Sequence, residues 1–220
     1  MKILHISDTH TFHYHLTIPE GIDMILFSGD CSNPQALYQS EKEIKDFIHW
    51  FGNLPIKHKV MIAGNHDLAI EHGYVTKQDF IDKGIIYLEN SEVVIEGLKI
   101  WGSPVTPAFG QGWAFNERRD RLHDLWATIP DDTDIVITHG PAKNALDLSY
   151  DRSGKMEFCG CAALEKRIKT IKPKLFCFGH IHNMLGIRNA GVVKFSDYQT
   201  IYSNGTVVFD GRFDLGVTSN

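Results

Sequence analysis

Nine side chains that can bind a metal ion or move a proton lie just after short apolar segments of this 220-residue sequence. They are carboxylates, imidazoles and one amide: Asp8, His10, Asp30, Asn65, His66, Asp67, His139, His180 and His182. Mixed oxygen and imidazole ligands suit divalent Mn, Fe, Zn or Co, and they need no thiolate. Because the set is larger than one ion requires, we predict a site for two divalent metal ions, with Mn as the first choice.

The apolar segments are predicted β-strands that would bring these side chains together. Residues 24–28 are apolar or small without polar alternation, which predicts a strand buried on both faces, and Gly29 and Asp30 follow it. In open α/β sheets the carboxyl ends of strands line one crevice. We therefore expect one site, with Asp30 at its centre, from this strand end and four similar ones, which follow residues 2–7, 60–63, 134–138 and 175–178.

Two ions joined by one carboxylate would lie roughly 3.5 to 4 Å apart. Asp30 is the predicted bridge, because its strand follows the first strand and should lie beside it. Such a pair lowers the pKa of a shared water from about 15.7 towards about 7 and clamps the oxygens of an in-line displacement. The predicted substrate is therefore a phosphate ester.

A leaving alkoxide also needs a proton or a positive charge. We predict that His66 supplies it and that Asp67 holds the other nitrogen of the His66 imidazole. His66 and Asp67 are thus the predicted catalytic pair beside the metal ligands.

Composition favours one domain over residues 1–220, since 43% of the residues are hydrophobic. The net charge is −5 and the acidic and basic residues are mixed along the chain. No basic run invites a nucleic-acid polymer, so a small phosphoester is the expected partner. No apolar run is long enough to span a membrane, and the first predicted strand leaves no room for a signal sequence. We expect a cytoplasmic protein.

The four cysteines are expected to be reduced and mostly buried, which suits a reducing compartment. Their spacing lacks the paired pattern of a structural zinc site. They are Cys31, Cys159, Cys161 and Cys177.

Helical patterns alternate with the strands. A capping-box pattern predicts a helix start at Ser40, and shorter helices are expected at residues 76–83, 118–126 and 162–171. Gly97 predicts one hairpin, and Asn204-Gly205 predicts another within residues 192–210. A frayed tail is expected after Asp214. His13 and His15 are expected to be solvated loop residues.

Two segments have open interpretations. The aromatic, Gly- and Pro-rich loop at residues 101–116 either walls the site beside a flat substrate group or packs as a separate apolar cluster. Arg118, Arg119 and Arg121 either bind phosphate oxygens or pair with neighbouring carboxylates on a solvated face.

Five sequence blocks together resemble the calcineurin-like metallophosphoesterases. They occur in order along most of the chain: Asp8-x-His10, Gly29-Asp30, Gly64-Asn65-His66-Asp67, Thr138-His139-Gly140 and Gly179-His180-x-His182. The resemblance implies an α/β fold with four layers, αββα, in which two mixed sheets lie between helices and the metal site lies at the strand carboxyl ends. It implies Asp8, His10, Asp30 and His182 around one ion, and Asp30, Asn65, His139 and His180 around the other. By the same resemblance His66 is the catalytic acid-like residue.

Within that family the chain is similar to the metallophosphoesterase-domain-containing group. The similarity rests on residues 51–55, 62–66, 102–107, 112–116, 138–141, 160–161 and 173–175. Some members have Gly where this chain has His180 and are correspondingly weak. The resemblance therefore implies that this chain holds the second ion and that its activity is not attenuated. This chain departs from the group in having Asp67 rather than Glu. Relatives act on phosphodiesters, including cyclic nucleotides, and bind nucleoside monophosphates, so the resemblance implies a small phosphodiester or nucleotide as the substrate.

Three classes of function follow. A dinuclear phosphodiesterase for small esters is favoured, and phosphomonoesterase activity at the same site is a variant of it. A nuclease would use the same chemistry, but the acidic balance counts against it. A non-catalytic scaffold would have lost ligands, and here the whole set is present.

Overall fold

The computed structural model describes residues 1–33, 36–151, 153–196 and 199–209, and the backbone of 212–213. The helices are α1 (Leu37–Gly52), α2 (Leu68–Glu71), α3 (Lys77–Ile81), α4 (Leu122–Ala127) and α5 (Ala162–Ile171). The strands are β1 (Ile3–Ile6), β2 (Met24–Ser28), β3 (His58–Ile62), β4 (Ile86–Tyr87), β5 (Ser91–Ile95), β6 (Leu98–Ser103), β7 (Thr106–Pro107), β8 (Asn116–Glu117), β9 (Ile135–Thr138), β10 (Leu148–Tyr150), β11 (Met156–Phe158), β12 (Leu175–Phe178), β13 (Gly191–Val193), β14 (Ile201–Asn204), β15 (Val208–Phe209) and β16 (Arg212–Phe213).

Two sheets carry the fold. The first is fully parallel, in the order β1-β2-β3-β4. The second has the order β13-β14-β12-β9-β6-β5 and is mixed, because its edge strands β5 and β13 run antiparallel to their neighbours. All five strands predicted to end in ligands are present, in parallel pairs or runs, so their carboxyl ends lie at matching edges of the two sheets.

Three apolar cores confirm the four-layer αββα arrangement. On β2, Ile25 and Phe27 face a core that they share with α1, α2 and α3, while Met24 and Leu26 face the other sheet. Alternation of side chains along a strand explains this division of one buried strand between two cores. A third core packs the outer face of the second sheet against α4 and α5.

Helix α1 begins at Leu37 rather than at the predicted cap Ser40. Ser40 is buried within the helix, and its Oγ accepts the N–H of Ala69 at 3.1 Å. The Glu of the supposed capping box, Glu43, instead accepts the N–H of Asn33 at 2.9 Å. The capping-box prediction was therefore wrong, because these polar groups fasten α1 to neighbouring loops. The predicted apolar stripe of α1 is confirmed as buried.

Asn204-Gly205 does not form the predicted hairpin turn. Strand β14 ends at Asn204 and pairs with β12 and β13, whereas β15 pairs with β16. Gly205 lies between the two sheets, donating to the Phe178 carbonyl and accepting from the N–H of Ser7. A Cβ on Gly205 would lie 2.7 Å from the His5 ring. The glycine is needed for close approach rather than for a turn.

Other local predictions had mixed outcomes. The hairpin at Gly97 and the helix at residues 162–171 are confirmed, and the expected tail after Asp214 lies outside the described residues. Helix α4 begins at Leu122, later than predicted. His13 is buried beside Asp46 rather than solvated, because the rings of Phe47 and Trp50 cover it. His15 is exposed as expected.

The cysteines and the helices bear on two predictions about the whole protein. All four cysteines are free thiols, and three of them are buried. Each helix in the described ranges is too short or too polar to cross a bilayer. One domain over residues 1–220 stays a prediction.

Candidate metal centre

Both sheets contribute ligand-bearing loops to one centre. Asp8, Asp30 and Asn65 follow β1, β2 and β3 of the first sheet, and His139 and His180 follow β9 and β12 of the second. The two sheets pack together at β2, β9 and β12, so these loops meet. Eight of the nine predicted side chains gather here, and Asp67 lies behind them.

One group of ligand atoms comes from Asp8, His10 and His182, and all three atoms lie within 4.8 Å of one another. His182 Nε2 lies 3.3 Å from Asp8 Oδ1 and 3.3 Å from His10 Nε2. These residues belong to the set that the family resemblance assigns to the first ion.

A second group comes from Asp30, His139 and His180, again within 4.8 Å. His139 Nε2 lies 3.2 Å from Asp30 Oδ2 and 2.8 Å from Asn65 Oδ1. This group, together with Asn65, is the set that the resemblance assigns to the second ion.

Asp30 connects the two groups. Its Oδ2 lies 3.9 Å from His10 Nε2, 3.8 Å from His66 Nε2 and 3.2 Å from His139 Nε2. Its Oδ1 accepts the N–H of His66 at 2.8 Å, which fixes the carboxylate. Asp30 therefore occupies the position between the groups that the sequence predicted for a bridge. His10, Asp30 and His66 form a third group of the same size, so His66 also lies within reach of an ion.

Four site residues adopt the left-handed backbone region although they are not glycine. The φ angles are +55° for Asp8, +41° for His10, +61° for Asp30 and +67° for His180. Such conformations cost on the order of 1–3 kcal/mol each and concentrate at functional sites. The rest of the fold therefore holds these ligands in strained but fixed orientations.

Two glycines make room for the carboxylates. A Cβ on Gly64 would lie 2.3 Å from Asp30 Oδ1, and a Cβ on Gly179 would lie 2.1 Å from Asp8 Oδ2. Any other residue at these positions would displace a ligand. The glycines in the Gly-Asn-His-Asp and Gly-His-x-His blocks thus have a steric cause.

The second nitrogen of two imidazoles is held by a backbone carbonyl. His139 Nδ1 lies 2.8 Å from the Ser28 carbonyl oxygen, and His10 Nδ1 lies 3.1 Å from that of Ser32. A carbonyl accepts only, so each Nδ1 carries the hydrogen and each Nε2 is directed at the carboxylates. This is the arrangement by which proteins orient metal-binding histidines.

The charges of the centre are strongly coupled. Burial alone would raise the pKa of Asp30, but the imidazoles of His139 and His66 hold this pKa well below its usual range. Burial alone would lower the pKa of His139, but the Asp30 carboxylate raises it to about 9. Burial lowers the pKa of His180 to about 3. Imidazoles must release their protons before they bind a metal ion. A divalent cation would therefore take the place of protons beside these buried carboxylates.

Asp67 does not hold His66, and this part of the prediction was wrong. The Asp67 carboxylate accepts five hydrogen bonds, at 2.8–3.3 Å, from the N–H groups of Asp30, Ser32 and Gly64, the Ser32 hydroxyl and the Cys31 thiol. These donors turn its side chain away from the His66 ring. Asp67 instead fastens the Asp30 loop to the loop that carries Asn65.

Replacing Asp67 with Asn should therefore weaken the fold. The amide group of Asn would face at least one of the buried donors, and a buried donor left unsatisfied costs about 1–3 kcal/mol. We expect the urea midpoint to fall by the equivalent of at least about 2 kcal/mol. Asp124→Asn is the matched control, since the Asp124 side chain is 94% exposed. Equal midpoints for Asp67→Asn and the wild type would contradict this role.

Different residues of the loop at residues 101–116 fit different interpretations of the loop. Trp101 packs with Trp126 in the outer core, as a separate apolar cluster would. Trp113 and Phe109 instead lie at the centre, with ring centroids 4.9 Å from His66 and 5.1 Å from His180 respectively. The sequence indicated a functional loop, but it did not identify which aromatic residue meets which ligand.

Two of the three arginines pair on a solvated face. Arg118 contacts Asp120 at 2.8 Å, and Arg121 lies 3.9 Å from Glu117. Arg119 is exposed. The contacts of Arg118 and Arg121 therefore support the second of the two interpretations.

The residues present fit divalent ions. Two buried carboxylates, an amide oxygen and five imidazoles converge, and Gly64 and Gly179 leave the space that the two carboxylates occupy. A hard or borderline cation satisfies such a donor set, whereas apolar ligands would leave it unpaired.

Known proteins share this sequence pattern. Metallophosphoesterase domain-containing protein 1 of Homo sapiens is 34% identical over an alignment of 226 residues, gaps included, that covers 92% of this chain and 64% of the human protein. A UPF0046 protein of Caenorhabditis elegans is 31% identical over 209 residues, covering 89% of this chain and 68% of the worm protein. This chain thus spans about two thirds of the length of these relatives. The profile described as calcineurin-like phosphoesterase matches residues 1–184, and the chain belongs to that family.

Proposed function

We propose that this protein is a phosphodiesterase that hydrolyses small phosphodiesters, including nucleotides, with two divalent metal ions. The observation that carries the proposal is the position of Asp30 between two separate ligand groups. Asp8, His10, Asp30 and His182 would hold one ion, and Asp30, Asn65, His139 and His180 the other. When bound, such a pair of ions lowers the pKa of water and neutralises charge on phosphate oxygens.

The protein's own residues supply the remaining steps. His66 is 17% exposed at its side chain, and its Nε2 faces the centre, where a leaving oxygen would emerge. It would donate a hydrogen bond or a proton to that oxygen. The buried carboxylates Asp8 and Asp30 keep the ligand sphere anionic, and the half-buried Trp113 side chain covers one side of His66.

Removal of metal is the direct test. Protein stripped with a chelator should lose hydrolysis of bis-p-nitrophenyl phosphate, and Mn²⁺ should restore it with saturation near two ions per chain. Parallel additions of Zn²⁺, Co²⁺ and Fe²⁺ would rank the alternatives. His123→Ala, which removes a histidine that is 70% exposed, is the matched control and should behave as wild type. Unchanged turnover after complete stripping would rule out the mechanism.

A substrate panel separates the related activities. Cyclic nucleotides, linear diesters and monoesters should be compared with the metal-loaded protein, and we expect diesters to be preferred. A nuclease is disfavoured by the net charge of −5 and by the pairing of Arg118 and Arg121 with acidic neighbours. A polymer-binding groove would show DNA binding that weakens steeply with salt. Cytoplasmic localisation stays a prediction.

A further inference from the structure

The His66 ring is oriented without a hydrogen bond to its second nitrogen. His66 Nδ1 is buried and has no hydrogen-bond partner in the described part of the chain. Other imidazoles of the centre use a backbone carbonyl for this purpose, as His10 and His139 do. The residue that sequence reasoning assigned to the task, Asp67, is fully engaged elsewhere. Something else must fix the direction of the ring.

Two aromatic rings enclose His66. The His10 ring lies edge-on to it, with centroids 4.5 Å apart and planes at 68°. The Trp113 indole lies on another side, with centroids 4.9 Å apart and planes at 39°. His10 is itself held by the Ser32 carbonyl and is a candidate ligand, so its position is fixed by the centre. Trp113 is the contact that comes from outside the ligand set.

Backbone contacts place Trp113 relative to His66. The N–H of Ala114 donates to the Asn65 carbonyl at 2.9 Å, so the residue after Trp113 is bonded to the residue before His66. The N–H of Phe115 donates to Glu71 at 2.6 Å, beyond the same loop. Gly110 packs beneath the indole, where a Cβ would lie 3.1 Å from Trp113 Nε1. The two residues after Trp113 are therefore fixed by hydrogen bonds, and Gly110 lies against the indole itself.

We propose that Trp113 is a positioning residue that orients His66 towards the leaving oxygen of the substrate. The inference rests on the proposed function, because it assumes that His66 assists departure of that oxygen. Trp113 acts by packing alone: it fills the space beside an imidazole that lacks a hydrogen bond and so restricts rotation of the ring about its χ angles. Phe109, the other aromatic residue of this loop at the centre, is 48% exposed and so is more open to solvent than the half-buried Trp113.

The test uses aryl methyl phosphates whose leaving groups range from 4-nitrophenol to phenol. A leaving phenolate that is stable needs little assistance, whereas phenol needs a proton donor. In the wild type, kcat/KM should depend weakly on the leaving group. Trp113→Ala should make the dependence steep, with a loss of about 10- to 100-fold for phenyl methyl phosphate and less than about threefold for the nitrophenyl ester. Trp113→Phe should restore most of the lost rate.

Combination with His66→Ala makes the inference falsifiable. Adding Trp113→Ala to His66→Ala should change the rate by less than about twofold, because the residue that Trp113 orients is gone. Metal content should equal that of the wild type in all variants, and Tyr74→Ala, which removes an exposed aromatic side chain, is the control. Equal losses for all leaving groups, a change confined to KM, or additive losses would overturn the role. A wild type without turnover of any ester would instead refute the proposed function.

Discussion

Asp30→Asn should abolish metal binding and phosphodiester hydrolysis together. The side chain keeps its shape, but a neutral amide cannot serve as the anionic ligand that both ions would share. Changes to residues behind a ligand already cost about 10- to 100-fold in affinity or activity. For Asp30, which is 1% exposed and faces His10, His66 and His139, we expect a loss of more than about 1,000-fold in kcat/KM.

The measurements are metal content after dialysis and turnover of bis-p-nitrophenyl phosphate with Mn²⁺. Asp124→Asn is the control for loss of one carboxylate, because Asp124 is exposed and far along the chain on α4. Unfolding by urea should remain cooperative, which would separate loss of the site from loss of the fold. Two ions retained per chain in Asp30→Asn would show that Asp30 is not shared.

His66→Ala should lower turnover of substrates with poor leaving groups by about 100- to 10,000-fold, the usual contribution of a general acid. Metal content should not change, because each assigned ion keeps its full set of ligands without His66. Bis-p-nitrophenyl phosphate should suffer a smaller loss, since its leaving group is stable without a proton. His72→Ala is the matched control, as the His72 side chain is 51% exposed.

The opposite result has a structural meaning. His10, Asp30 and His66 form a compact group of ligand atoms within 4.8 Å. If His66→Ala loses an ion, then His66 is a ligand and the catalytic assignment is wrong. Metal analysis and turnover must therefore be read together.

Much of the fold was predictable because the buried strands leave a simple signature. Residues 24–28 show no polar alternation, and the structure buries all five of them between two cores. The polar residues that follow each strand predicted that these side chains would meet at the strand carboxyl ends. The distances around Asp30 show that they do.

The failures share one physical cause. Ser40, Asp67 and Asn204-Gly205 carry local signals for a helix cap, for a partner of the His66 imidazole and for a turn, respectively. In each case a contact distant in sequence satisfies the same group: Ala69 for Ser40, the Asp30 loop for Asp67, and Ser7 and Phe178 for Gly205. Sequence spacing cannot rank such distant partners. The contact between Trp113 and His66 was out of reach for the same reason, because only the composition of its loop indicated function.

Each of the two ligand groups assigned to an ion includes residues from both sheets. Asp8 and His10 meet His182 across 172 residues or more, and Asp30 meets His139 and His180. An unfolded chain cannot offer these atoms at short range, so cations bound here favour the native state by mass action. Neither half of the polypeptide alone contains either of these two groups. The centre thus lies between the two sheets. Ion binding and the packing of the sheets against each other are therefore thermodynamically coupled.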